Sequence, residues 1–278
     1  MRVTAAIALV TVMAAPRAAD APPAPTPAQA REWMQALLVA SPYKLPDAAR
    51  VGHIRYRVRV EGAAWRFPET GEQHVRVDGD TGTTVLDICV DCGRETPPDA
   101  TALARYRAPS PGIESDARAV RNFARPLDRG GSLERRMLAL REGVRARMDG
   151  AIDFSRYDSA ASALDRRSGD CTESALLLAA AARARGIPAR VVYGVAYSSR
   201  FTGQSHVFSP HMWVQVWDGA RWRSYDAALE RFDAGHIALL VGDGAFDTFA
   251  PATSIIAGLK IEAAGSVTAS AKADSVGR

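Results

Sequence analysis

The sequence predicts an α+β protein in which strand-forming and helix-forming stretches are kept apart along the chain. Three observations carry this. Residues 52–94 alternate with a period of two, residues 116–190 are dominated by helical patterns, and a second set of strand-like runs follows to residue 263.

The elements follow in chain order. Residues 28–40, AQAREWMQALLVA, predict a short helix closed by SPYKLP. Ile54, Tyr56, Val58 and Val60 then alternate with Arg55, Arg57, Arg59 and Glu61, and QHVRVDGDTGTTVLDICV adds two further strands around a Gly-rich turn. DGDTG lacks the third oxygen ligand and the distal Glu of a calcium loop, so it reads as a hairpin turn. Residues 95–112, rich in Pro and poor in apolar positions, read as a connection. DARAVRNFARPL and SLERRMLALREGVRARM are helical, the second with a core stripe of Leu133, Met137, Leu140, Val144 and Met148. After IDFSRYD and ASALDRR comes SGDCTESALLLAAAARARGIPAR, residues 168–190. The strand-like runs RVVYGVAY, HMWVQVW and RWRSYD follow, with weaker ones at HIALLV and GLKIEA.

Composition narrows the setting. One Arg followed by VTAAIALVTVMAA and a Pro/Ala-rich stretch reads as a secretory signal and flexible leader, and the apolar run is too short to span a bilayer. The expected organisation is a signal peptide (1–21), a leader with a short helix (22–48), a small antiparallel β unit (49–100), a larger domain (101–262) and a disordered tail (263–278). The product is then periplasmic or secreted, without stable membrane insertion after signal removal. The net charge of +4 comes from Arg spread among acids rather than gathered into a run, which argues against nucleic-acid binding.

There are three cysteines. Cys89 and Cys92, in CVDC, read most simply as a short-loop disulfide, with a redox-active pair as the alternative. No helix follows CVDC, and zinc would need two more ligands from distant histidines, so neither a metal nor a cofactor is expected. Cys171 remains a free thiol. Asp170 and Glu173 form a capping-box pattern that places Cys171 at the first helical position, and Gly186 with Pro188 marks the far end. Helix-start N–H groups favour a thiolate, whereas the adjacent Asp170 carboxylate opposes one.

A nucleophile needs a base and a group to orient it. Of His53, His74, His206, His211 and His236, His211 opens HMWVQVWDGARWRSYD. A two-residue loop at Asp218 and Gly219 pairs residue 217 with 220 and puts His211 directly opposite Asp226. A four-residue loop shifts the pairing by two and keeps both side chains on one face. Trp213 shares the His211 face by parity and could shield the site from water or contact substrate.

GDCTESALLLAAAARARGIPARVVYGVAY, HMWVQVW and WRSYDAAL together resemble the bacterial branch of the transglutaminase-like, papain-related cysteine enzymes, over roughly residues 113–262. The resemblance implies a cysteine helix packed on an antiparallel sheet and a protein or peptide substrate. It also implies Cys171 as nucleophile, His211 as general base and acid, and Asp226 as orienting carboxylate. Two positions depart from the family pattern: Gln215 stands where many relatives have Glu, and Asp226 is followed by Ala-Ala. The implied chemistry is thiol acyl transfer on an amide, giving a peptidase, an amidase or a transamidase. A catalytically silent binding module and a thiol-disulfide protein acting through Cys89 and Cys92 are the competing readings.

Overall fold

The computed structural model describes residues 26–62, 64–78, 83–151 and 157–267. The expected signal peptide, the turn at 79–82 and the tail beyond 267 lie outside the described residues. The chain is α+β, with its strands in two antiparallel sheets.

The N-terminal part holds α1 (Pro27–Ala36), β1 (Val39–Ala40), α2 (Asp47–Arg50), β2 (Ile54–Val60), β3 (Gln73–Val77) and β4 (Thr84–Ile88). The stretch read as a connection contains a short helix, α3 (Ala100–Arg105), capped by the Asp99 side chain. Helices α4 (Arg118–Leu127), α5 (Leu133–Arg147), α6 (Ala160–Arg166) and α7 (Cys171–Ala184) follow. The remainder is β5 (Ala189–Phe201), β6 (Gln204–Trp217), β7 (Trp222–Tyr225), β8 (His236–Gly242), α8 (Phe246–Gly258) and β9 (Leu259–Ser266). Among the described residues no helix is long and apolar enough to cross a membrane.

The larger sheet runs β1-β6-β5-β8, with β7 also on β6, and the smaller runs β3-β4-β2-β9. Helix α7 lies on one face of the larger sheet. Its Leu176, Leu177, Leu178 and Ala179 are fully buried among Met137, Leu140 and Val144 of α5 and Met212, Val214 and Val216 of β6. A helix apolar all round is one enclosed on every side. The other face of the large sheet, through Val195, Phe208, Ile237 and Leu239, packs on Ile54, Tyr56, Leu86 and Ile88 of the small sheet. The small sheet therefore backs the sheet that carries the site.

One difference from the sequence reading concerns boundaries. Strand β9 pairs with β2 along its whole length, Leu259 with Val60 through to Ser266 with Ile54. The expected boundary at 262 thus falls inside a strand, and residues 263–266 belong to the sheet begun by residues 54–60. Short-range alternation cannot reveal a partner two hundred residues away.

Candidate active site

The N-terminus of α7 is built by the Gly-Asp-Cys-Thr-Glu stretch. The Asp170 carboxylate accepts the Thr172 N–H at 2.8 Å, and the Glu173 carboxylate accepts the Asp170 N–H at 3.0 Å, closing a capping box. Glu173 also accepts the Asp158 N–H at 3.0 Å, tying the α6 approach to the same point. Gly169 is required for space: a Cβ there would lie 2.4 Å from the Cβ of Glu173. The far end is closed by Gly186 at φ 76°, with the Ile187 N–H bonded to the Ala182 carbonyl.

His211 lies in β6, paired with Gly194 of β5, and Asp226 directly follows β7. The β6–β7 register differs from the two-residue-loop expectation. Trp217 pairs with Trp222 and Val214 with Tyr225, so four residues form the turn. The Asp218 carboxylate closes it by accepting the Ala220 and Arg221 N–H groups, both at 2.8 Å. Pairing shifts by two, parity is kept, and the His211 Nε2–H donates to Asp226 Oδ2 at 2.6 Å. That contact leaves Nδ1 as the ring nitrogen for the thiol. Cys171 and His211 both line a cavity of about 350 Å³, with Asp170, Arg145, Phe201 and Leu229 on its walls.

Residues 121–227, which contain Cys171, His211 and Asp226, match the family model of the transglutaminase-like superfamily. The chain carries a transglutaminase-like domain. A search of curated proteins found no match. Solved structures similar to the chain include a proposed cysteine protease from Cytophaga hutchinsonii, 18% identical, covering 78% of this chain and 86% of that one at a TM-score of 0.46. The periplasmic domain of TgpA from Pseudomonas aeruginosa is 17% identical, covering 71% and 91% at 0.41. Red sea bream transglutaminase is 10% identical, covering 72% and 49% at 0.34.

Asp226 of the transglutaminase-like domain is fully buried, yet every side of its carboxylate is satisfied. Oδ1 accepts the Ala228 and Leu229 N–H groups at 2.8 Å each, and Oδ2 accepts from His211 and, at 3.0 Å, from His236. Burial opposes its charge, but the two imidazoles outweigh burial and hold it far below the ordinary carboxylate range. His211, Asp226 and His236 each bring one possible metal-ligand atom within 4.8 Å of the others. Asp226 Oδ2 already accepts both ring N–H groups.

The thiol differs from the helix-start expectation. Burial, then the Asp170 carboxylate, pushes Cys171 well above its ordinary value, while the Met212 backbone N–H pulls the other way. Asp170 is itself pushed up to about 7 by burial and by Glu173. Burial first, and then the carboxyl groups that cap the same helix, therefore outweigh the helix-start N–H groups.

Trp213, expected at the substrate, is not on the cavity wall. Its indole is buried behind His211, stacked at 6.2 Å between centroids, and donates to Ser224 Oγ at 3.1 Å. Gln215 joins a buried network. Its carbonyl accepts from Arg190 at 2.7 and 3.0 Å, and its amide donates to Glu72 at 3.2 Å and to Ser224 at 3.3 Å. Cys89 and Cys92 are free cysteines in this structure. Burial and then Cys89 push the Cys92 thiol up.

The sequence reading missed His236 and Asp233. His236 is buried, with Nε2 on Asp226 and Nδ1 3.1 Å from the Asp233 carbonyl and 3.4 Å from its carboxylate. Burial disfavours its charge, but the bonds to Asp226 and Asp233 raise it to about 9. A histidine raised on folding stabilises fully below its unfolded value near ~6.5. That contribution is lost as pH rises through about 9. Urea unfolding at pH 6.5 and 9.5 is therefore expected to show a loss on the order of 3 kcal/mol, absent from His236→Gln. A parent midpoint that holds or rises across this interval would contradict the assignment. Glu72, raised by burial to about 7, acts in the same direction at lower pH.

Proposed function

We propose that the chain is an exported cysteine enzyme that transfers acyl groups from amides through Cys171, His211 and Asp226. The observation that carries this is the shared placement of the α7 thiol and the Asp226-bound His211 imidazole on one cavity wall. The carboxylate fixes the tautomer with the proton on Nε2, so Nδ1 is unprotonated and can accept the thiol proton.

As the proton moves to Nδ1, Cys171 sulfur bonds to the amide carbonyl carbon. The backbone N–H of Cys171, at the first helical position, is a suitable donor to the oxyanion. The C–N bond then breaks, the proton passes from His211 to the departing amine, and a thioester remains. Water attacking the thioester releases an acid. A primary amine attacking it forms a new amide. Proteins and peptides are the substrate class, and the signal peptide at residues 1–21 takes the enzyme out of the cytoplasm.

The reading is tested by presenting peptide and glutamine-donor libraries with and without a primary amine, alongside iodoacetamide labelling at pH 7.5. Product formation with a Cys171 label that forms at least about tenfold more slowly in His211→Ala is expected, since the base supplies the proton acceptor. Labelling of Cys171 at the same rate in both proteins, with no turnover of either library, would point instead to a silent binding module.

A further inference from the structure

The sharing of Asp226 between two imidazoles is not needed for a cysteine, a histidine and an aspartate to work together. Two N–H groups converge on one oxygen, from His211 at 2.6 Å and from His236 at 3.0 Å, and the ring centroids are 5.5 Å apart. We propose that His236 is a positioning residue of this site: by sharing Asp226 Oδ2 with His211, it fixes the carboxylate and sets how much of its charge the His211 ring can use. This rests on the proposed acyl-transfer reading.

The arrangement continues away from the cavity. Asp233, just before β8, faces His236 Nδ1, and Asp233 Oδ2 in turn accepts from Arg50 Nη1 of α2 at 2.5 Å. The ionisable groups facing His236 are thus Asp226 after β7, Asp233 before β8, His211 in β6 and Glu72 before β3, with Arg50 behind Asp233. Trp213 and Phe232 fill the remaining sides at 5.2 and 5.0 Å and exclude water. Two carboxylates flank one ring, which favours a proton on each of its nitrogens. The Asp233 N–H also points at Nδ1 from 3.3 Å and so competes with the nearer Asp233 carbonyl, at 3.1 Å, which calls for a proton on that nitrogen.

A β-bulge makes this geometry. Tyr193 pairs with Leu240 but Gly194 with Ala238, so β8 gains a residue opposite Gly194 before reaching His236. Gly194 admits it because a Cβ there would lie 2.0 Å from the Ile237 carbonyl oxygen. The consequence for chemistry has a definite sign. A cation on His236 repels one on His211 and spends part of the Asp226 charge, which works against a thiolate–imidazolium pair. Removing that cation gives His211 the whole carboxylate and raises the thiolate share at acidic pH.

The test has two arms. Imidazole ¹⁵N spectra of the full protein at pH 7.5 are expected to show His236 with both nitrogens protonated; neutral nitrogen shifts would overturn the proposal. This arm reads His236 whether or not the protein turns over any amide, so its failure is distinct from failure of the enzyme reading. In the second arm, His236→Gln keeps an N–H donor without the charge, and the Cys171 alkylation profile should move about one pH unit lower, a roughly tenfold faster label at pH 6. Asp233→Asn weakens the charge while leaving the ring, and should shift the profile the same way even if His236→Gln does not fold. A purely structural role predicts a lowered midpoint with an unmoved profile, and profiles overlaying the parent would refute the proposal.

Discussion

Cys171→Ala is expected to abolish turnover of amide substrates, by about 10⁴-fold or more, while leaving the protein folded. The size follows from the role: removing a nucleophile leaves only substrate binding and the oxyanion donor to accelerate the reaction. The stability effect is expected to be small because Cys171 lines the cavity and lies outside the core cluster that Ala175 through Ala182 of α7 form with their neighbours. The cap is made by Asp170 and Glu173 and is untouched by the change. Steady-state rates on whichever library member the parent accepts, with thermal unfolding of both proteins, measure this directly. A variant that keeps a tenth of the parent rate would remove Cys171 from the chemistry.

Those two properties were unequally legible in the sequence. Helix α7 could be read end to end because its signals are local: a capping box at Asp170 and Glu173, a Gly at 186 and a Pro at 188. The pairing of His211 with Asp226 depended on loop length, which the Asp218-Gly219 dipeptide does not determine. Asp218 instead uses its own carboxylate to close a longer turn. The inference survived because side-chain direction depends on parity, and a shift of two preserves parity.

His236 had no such local signal. It reaches Asp226 only through a bulge between β5 and β8, and its second partner, Asp233, is held by Arg50 from the N-terminal part. The same holds for Glu72, whose carboxylate accepts the Ser224 N–H at 2.9 Å and hydrogen-bonds the Ser224 hydroxyl and the Gln215 amide. Helix α8 was hidden by Pro251 within it, and β9 by the distance to β2. Part of the polar surround of the site, Glu72 and Gln73, is therefore supplied by the N-terminal β unit that sequence pattern alone sets apart. The small sheet contributes packing and, through Glu72, Gln73 and nearby Arg50, polar contacts behind the cavity wall that carries His211.

Asp226→Asn is expected to lower turnover by about 10³-fold near pH 7, although the side chain is nearly the same size. In the parent, both carboxylate oxygens face only donors: two backbone N–H groups on Oδ1 and two imidazole N–H groups on Oδ2. An amide cannot serve both. With its NH₂ toward the imidazoles it meets two ring donors, and with its NH₂ toward Ala228 and Leu229 it meets two backbone donors. The least costly escape is for His211 to surrender its Nε2 proton and accept from the amide, which places the proton on Nδ1. That is the nitrogen left for Cys171, so the base is held in the wrong tautomer and cannot take the thiol proton. The lost charge also withdraws support from the His211 imidazolium formed during attack, and alkylation of Cys171 should slow across the neutral range and recover as solvent hydroxide ionises the thiol directly. Breaking a buried ion pair on one side costs roughly 3 kcal/mol, so the unfolding midpoint should drop as well. Circular dichroism must therefore show the variant folded at the assay temperature. Under that condition, an alkylation profile and a turnover rate that overlay the parent would leave Asp226 as a buried structural anchor for the segment after β7 and would remove it from the catalytic scheme.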